Sequence, residues 1–272
     1  MLNSRYPPQF PPLWANAWGD DRYGLWAEFE LSGVTQRLRW IEPGEFLMGS
    51  PDDEPERSTG EGPQHRVRLS AGFWLADTAC TQALWMAVLG DENPSAFKDD
   101  LTCPVEQVSA DDAEVFLTRL CVALGDGAQA SLPTEAQWEY ACRAGTTTPY
   151  SFGANITPEQ VNYNGEYPYA GSPKGRYRSR TVPVKSLPAN PWGLYEMHGN
   201  VLELCKDDRR PYRALTLGQT ALDPQGALDS AGHALRGGTW NYDAKYARCA
   251  SRLQNTRGDR SAVMGFRFSL RP

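Results

Sequence analysis

The side chains able to do redox or metal chemistry are six cysteines, Cys80, Cys103, Cys121, Cys142, Cys205 and Cys249, and three histidines, His65, His198 and His233. Thiolates suit soft cations and imidazoles suit zinc, copper or iron, and such sites usually announce themselves by spacings such as C-x-x-C or H-x-x-x-H. Neither spacing occurs in this chain. The expectation is therefore buried thiols in a reducing compartment and no histidine-based metal site. A different chemistry shows near the C-terminus, where residues 235–254 read LRGGTWNYDAKYARCASRLQ. Tyrosine mixed with Asn and Asp offers large contact area at low entropic cost together with versatile hydrogen bonding, as adaptable binding surfaces do. The candidate ligand-binding residues are Asn241, Tyr242, Asp243, Lys245 and Tyr246, followed by a second mixed group at Leu253, Gln254, Asn255, Asp259, Ser261 and Val263.

Composition narrows the classes of function. The 272 residues suffice for one large domain, and the net charge of −6 gives no concentrated basic face. Nucleic acid is thereby set aside as the main partner, since phosphate neutralisation needs such a face. The start, MLNSRYPPQFPPLWANAW, has no cationic stretch followed by an apolar one, and no window approaches the ~20 apolar residues of a membrane span. These features predict a cytoplasmic chain without membrane insertion, whose partner is an unknown protein or small-molecule ligand.

The elements that must position these residues follow from periodicity. LWAEFELSGVTQRLRWIEPGEFLMGS alternates apolar and polar residues and breaks at Pro43-Gly44, which predicts two strands and a turn. Residues 51–66 read as a charged, solvated loop without chemistry. Thr81 before QALWMAVL and Gly90 after it predict one helix. Ser109 predicts the cap of a second, with Asp111 and Asp112 in its first turn and Val115, Phe116, Leu120 and Leu124 on one face. Thr134 and Gln137 have capping-box spacing for a third. Beyond 145 the chain is glycine, proline and aromatic punctuation with almost no helical period. The prediction is one α+β domain: residues 1–37 as an N-terminal wrapping segment, 38–272 as the body, and a binding region at 236–267.

Several segments occur in a telling order: FLMGSPDDEP, GPQHRVRLS, FWLADTACTQALWMAVLG, NPSAFK, PVEQVSADDAEVFLTRL, LPTEAQWEYACRAGTTTPYSFG, NPWGLYEMHGNV, and LRGGTW with RCASR and GFRF. Together they resemble the formylglycine-generating-enzyme (sulfatase-modifying factor) family over residues 38–270. The resemblance implies a C-type-lectin-like fold, rich in irregular structure, with small antiparallel sheets and two or three helices. It also implies where chemistry would sit. The family's enzymes hold Cu(I) on two cysteines, the first four residues past the glycine pair and the second five residues further, because two thiolates suit that soft cation. The fourth position past Gly238 is Tyr242, the segment is too short for the second cysteine, and Cys249 matches a non-catalytic position in RCASR. No copper is expected. No iron is expected either, because the H-x-x-x-H-x-E pattern and added helical domain of the family's iron-dependent branch are missing. A metal-dependent oxidase with other ligands stays as the alternative.

The C-terminal segment also resembles the variable region of diversity-generating-retroelement proteins, which implies a ligand-binding protein diversified at scattered positions. Glu196, Gly199, Val201 and Glu203 match positions that the family resemblance assigns to structural Ca2+, and two carboxylates with two carbonyls are suitable hard ligands. At the family's other calcium position, beginning at Asn162 and Tyr163, Arg176 falls where a carboxylate belongs, so Arg176 or Lys174 is expected to replace the ion. Leu202 and Leu204 stand where tryptophans are usual and are expected to fill core. In the folded chain Tyr242, Tyr246 and residues 253–255 should be accessible on one face, with Arg236, Trp240, Cys249 and Phe266 buried.

Overall fold

The computed structural model describes residues 5–90, 92–125, 127–212, 219–227 and 232–272. Alternation between residues 17 and 48 makes four strands, β1 (Ala17–Asp21), β2 (Gly24–Leu31), β3 (Val34–Ile41) and β4 (Gly44–Met48). The two-strand expectation misses the tight turn at Ser32-Gly33, where both residues take positive φ, 51° and 79°. Such a reversal leaves the alternation unbroken on either side. The N-terminal segment is more than a wrapping. β1 pairs antiparallel with β2, and Trp14 is buried edge-on against Phe29 and Trp74. Residues 1–4 of that segment lie outside the described residues.

The three helices form where their caps predict. In α1 (Gln82–Leu89) the Thr81 hydroxyl accepts the Leu84 N–H, and Gly90 ends it at φ 102°. Helix α2 (Ala110–Leu124) begins in a capping box: Ser109 Oγ accepts from Asp112 N at 3.2 Å, and Asp112 Oδ2 accepts from Ser109 N at 2.8 Å. In α3 (Glu135–Arg143) Thr134 and Gln137 form the corresponding box. Phe116 and Leu120 are buried as expected, but Val115 is 56% exposed. The apolar stripe of α2 runs through Ala113, Phe116, Leu117 and Leu120, and Val115 lies off it. Ser109→Ala should lower stability by about 1 kcal/mol, read by urea denaturation. An unchanged midpoint would show the cap to be redundant with Arg260, which also binds Asp112.

The remaining strands are short: β5 (His65–Leu69), β6 (Phe73–Ala76), β7 (Ala130–Ser131), β8 (Leu202–Leu204), β9 (Ala221–Leu222), β10 (Gly232–Arg236), β11 (Leu253–Thr256), β12 (Met264–Gly265) and β13 (Ser269–Leu270). They assemble into sheets ordered β1-β2-β3-β6-β13-β7, β11-β10-β8-β12 and β4-β5-β9. Most pairs are antiparallel, but β8–β12 and β5–β9 are parallel. The main core lies between α1, α2 and the first two sheets. Leu202 and Leu204 fill it, as the leucine substitutions predict, beside Phe116, Phe266 and Phe268. No helix among the described residues is long and apolar enough to cross a membrane.

Candidate ligand-binding face

The segment after the glycine pair is shaped by its backbone. Residues 244–247 make a single 3-10 turn. Its polar main-chain groups are tied to buried neighbours: Tyr150 OH donates to Ala244 O at 2.8 Å, and His198 Nδ1 lies 2.6 Å from Ala247 O. Asn164 N donates to Tyr242 O, Ala244 N to Tyr167 O, and Cys249 N to Pro149 O. Arg248 and Arg252 on either side of Cys249 anchor the segment from below. Arg248 binds Glu54 at 2.5 Å and Glu61 at 2.7 Å, and Arg252 Nε binds Glu135 at 2.6 Å. This corrects the reading of 51–66 as solvated: Glu54 and Glu61 are buried. A desolvated guanidinium needs carboxylate partners, and this loop folds in to supply them.

Asn241, Tyr242, Asp243, Lys245 and Tyr246 all remain partly exposed. The Tyr242 and Tyr246 rings lie side by side, 5.3 Å between centroids, while Lys245 pairs with Asp243 at 3.6 Å. Tyr242 also rests one edge on the main core, as do Leu253 and Val263. Trp240 departs from expectation. It is half-buried, with Phe97 edge-on at 5.6 Å and Tyr177 stacked at 6.3 Å, and its Nε1–H donates to Ala262 O. That bond joins Asn241–Tyr246 to Ser261 and Val263. Gln254 and Asp259 are exposed and Asn255 is half-buried, but these residues run along edge strand β11 toward α2. There Arg257 pairs with Asp111 and Glu114, and Arg260 with Asp112. Asp259 accepts the Thr256 N–H and closes that turn. Arg236, Cys249 and Phe266 are fully buried, as expected. Phe97, Tyr177 and Tyr167, which is 55% exposed, belong beside the patch and were invisible as members because each stands in a loop without period.

The fold also brings together three residues that spacing kept apart. Cys142, His198 and Cys249 offer ligand atoms within 4.8 Å of one another, all buried. Cys142 Sγ donates to Cys249 Sγ across 3.8 Å. Burial pushes both thiols up, and at Cys249 it is overcome by the Cys142 S–H, His198 and Arg143, which hold the proton on Cys142. The imidazole is not aimed at the Cys142 sulfur. Its Nδ1 faces a carbonyl, and Nε2 accepts from Ser151 N at 3.1 Å and lies 2.9 Å from Ser151 Oγ. Cys142 Sγ is 3.7 Å from Nε2 and 3.9 Å from Nδ1. A sulfur sharing a metal with Nε2 would lie well beyond that nitrogen along its lone pair, far from Nδ1. Near-equal distances place the sulfur against the ring instead. Tyr242 stands at the position of the family's first copper cysteine, so Cys142, His198 and Cys249 form a different ligand set from the one the family resemblance assigns to copper.

The calcium set is only partly brought together. Both oxygens of Glu203 are taken: Arg267 Nε and Nη2 donate at 2.6 and 2.7 Å, and Trp138 Nε1 at 2.7 Å. Gly199 O accepts the Val201 N–H. Glu196 is buried with Oε1 unpartnered, and burial lifts its carboxyl to about 7. A neutral acid accounts for that side chain, and the Glu203 carboxylate is already engaged through both oxygens by Arg267 and Trp138, so neither acid is set up as a calcium ligand as it stands. At the other position Asn162 Oδ1 has no partner, and Arg176 and Lys174 are exposed. Neither cation replaces an ion there.

Comparison with known proteins agrees with this architecture. A family profile described as "Sulfatase-modifying factor enzyme 1-like domain" matches residues 28–271. The formylglycine-generating enzyme of Streptomyces coelicolor is 31% identical over 82% of this chain and 86% of its own length. The serine/threonine-protein kinase pkn1 of Chlamydia caviae is 38% identical over 84% of this chain, which spans only 37% of the length of that protein. Among solved structures, Treponema denticola variable protein 1 superposes with a TM-score of 0.76 at 25% identity, over 91% of this chain and 99% of that one. The chain belongs to the sulfatase-modifying-factor, or formylglycine-generating-enzyme, family and has its C-type-lectin-like α+β fold.

Proposed function

We propose that this protein is a non-catalytic ligand-binding member of its family, and that its recognition surface is the patch of Asn241, Tyr242, Asp243, Lys245 and Tyr246 with Ser261 and Val263. The observation that carries this reading is the tyrosine pair. Tyr242 stands where a copper-binding cysteine falls in the family's enzymes, and its ring and that of Tyr246 are half-exposed on a turn held by buried neighbours. Amphipathic rings on a preformed backbone lose little entropy on binding. The likeness to Treponema denticola variable protein 1 supports diversification of these positions by a retroelement. An imperfect repeat of the 3′ end of the gene, differing at adenines and lying beside a reverse transcriptase gene, is the expected genomic signature. Its absence would leave an undiversified binding protein.

One observation favours a metal-dependent oxidase instead, the convergence of Cys142, His198 and Cys249. Metal analysis of protein purified without chelator, together with oxygen uptake in the presence of a thiol peptide, separates the two. Substoichiometric copper and iron with no uptake is the expected result. One copper or iron per chain with turnover would overturn the binding reading.

A further inference from the structure

Helix α2 presents a second flank whose chemistry the ligand face does not use. Positions 114, 118, 121 and 122 follow the i, i+4, i+7, i+8 spacing, so Thr118, Cys121 and Val122 lie on one side of the helix, next to the face that buries Phe116 and Leu120. Between this flank, β7 and β10 runs a groove of about 520 Å³, lined also by Leu117, Leu132, Lys206 and His233. That volume lies in the range of small-molecule sites, and so does its character, apolar walls with a few polar groups. Val122, 76% exposed, is one of those walls.

The polar groups converge at the inner end. In the β8–β10 register Leu204 faces Leu235, and Cys205 N bonds Ala234 O. Continuing it sets Lys206 beside His233 on the face that turns toward α2. His233 is 3% exposed, with Nδ1 2.9 Å from Cys205 O and Nε2 without a partner. Buried polar atoms rarely lack a partner. Lys206 makes no ion pair among the described residues, whereas Glu114, the acid of the lining, is bound by Arg257. Among the described residues the groove therefore has apolar walls and one unpaired positive charge next to an unspent imidazole nitrogen.

We propose that this groove binds a small amphipathic carboxylic acid, its apolar body over Leu117, Val122 and Leu132 and its carboxylate on Lys206. Apolar walls strengthen the ammonium–carboxylate pair relative to open water. This site is independent of the tyrosine patch and stands whether or not that patch binds a ligand.

Cys121 supplies the reporter, because it lines the groove and is the one cysteine of the six that is not buried. Its alkylation by iodoacetamide, followed by intact mass spectrometry with Cys121→Ser as the blank, is measured against octanoate and the neutral isostere 1-octanol. Saturating octanoate should slow alkylation about tenfold by occupancy, and 1-octanol should protect only at higher concentration. Lys206→Met should weaken octanoate about tenfold and leave octanol unchanged, since it removes one charged hydrogen bond. Thr118→Trp, at an exposed position, should block both, with Val122→Trp as the second blocking variant should the first misfold. No protection by octanoate, equal potency of the acid and the alcohol in the unaltered protein, or protection that survives a folded blocking variant overturns the proposal.

Discussion

Arg236→Met should cost ~3–5 kcal/mol of unfolding free energy, the usual cost of removing one partner from a buried ion pair. Arg236 is wholly buried, yet no oxygen around it is left to chance. One Nη donates to Glu139, the other to the carbonyls of Cys249 and Ser251, and Nε faces Glu135 at 3.4 Å. Burial alone would push Glu139 up, but Arg236 and Arg143 hold it below the ordinary carboxylate range. Without Arg236, Glu139 keeps Arg143 and the Gly49 N–H, and Glu135 keeps Arg252. Two carboxylates then share two guanidiniums where there were three, and two carbonyls lose their donor. Arg236→Lys should recover only part of the loss, because an ammonium cannot reproduce the planar fork. Chemical denaturation with a loss under about 1 kcal/mol would show that this network adds nothing its remaining members cannot supply.

Glu196→Gln should change stability by a similar amount with the opposite sign, growing above pH ~4.5 and reaching full size above neutral pH. The buried carboxyl titrates near 7 rather than at its ordinary value of 4.5, because burial penalises the charged form. Between those values the folded chain keeps a proton that the unfolded chain has released. Stability therefore falls as pH rises through this window and levels off above it, by up to about 3 kcal/mol. Glutamine carries no charge at any pH, so the variant should gain up to about that amount at pH ~8 and nothing below pH ~4.5. Thermal melts across the window check this. If added calcium raises the melting temperature of the parent protein and Glu196→Gln abolishes that shift, the carboxylate is an ion ligand and the neutral-acid account fails.

Local signals were readable in the sequence. Thr81, Ser109 and Thr134 cap their helices because a cap depends on residues within one turn, and Leu202 and Leu204 pack as core because apolar volume suffices there. Interactions across the chain were not. Glu54 and Glu61 looked solvated because Arg248 stands almost 200 residues away, and the Cys142–Cys249 contact closes over 107 residues. Trp240 was misplaced for the same reason: the rings that share its surface, Phe97 and Tyr177, belong to other loops. The binding set was legible as composition, but its division was not. Only the Trp240 bond to Ala262 and the arginine clamps on α2 show that residues 253–259 part from the tyrosine patch.

The turn that presents Tyr242 and Tyr246 owes its path to groups outside itself: Tyr150, His198, Asn164, Tyr167 and Pro149 grip its amides and carbonyls. Apart from the edge that Tyr242 rests on the core, its outward side chains therefore carry little of the scaffolding. Folding and recognition are uncoupled over these few residues, so the lettering can change while the page on which it is printed stays flat.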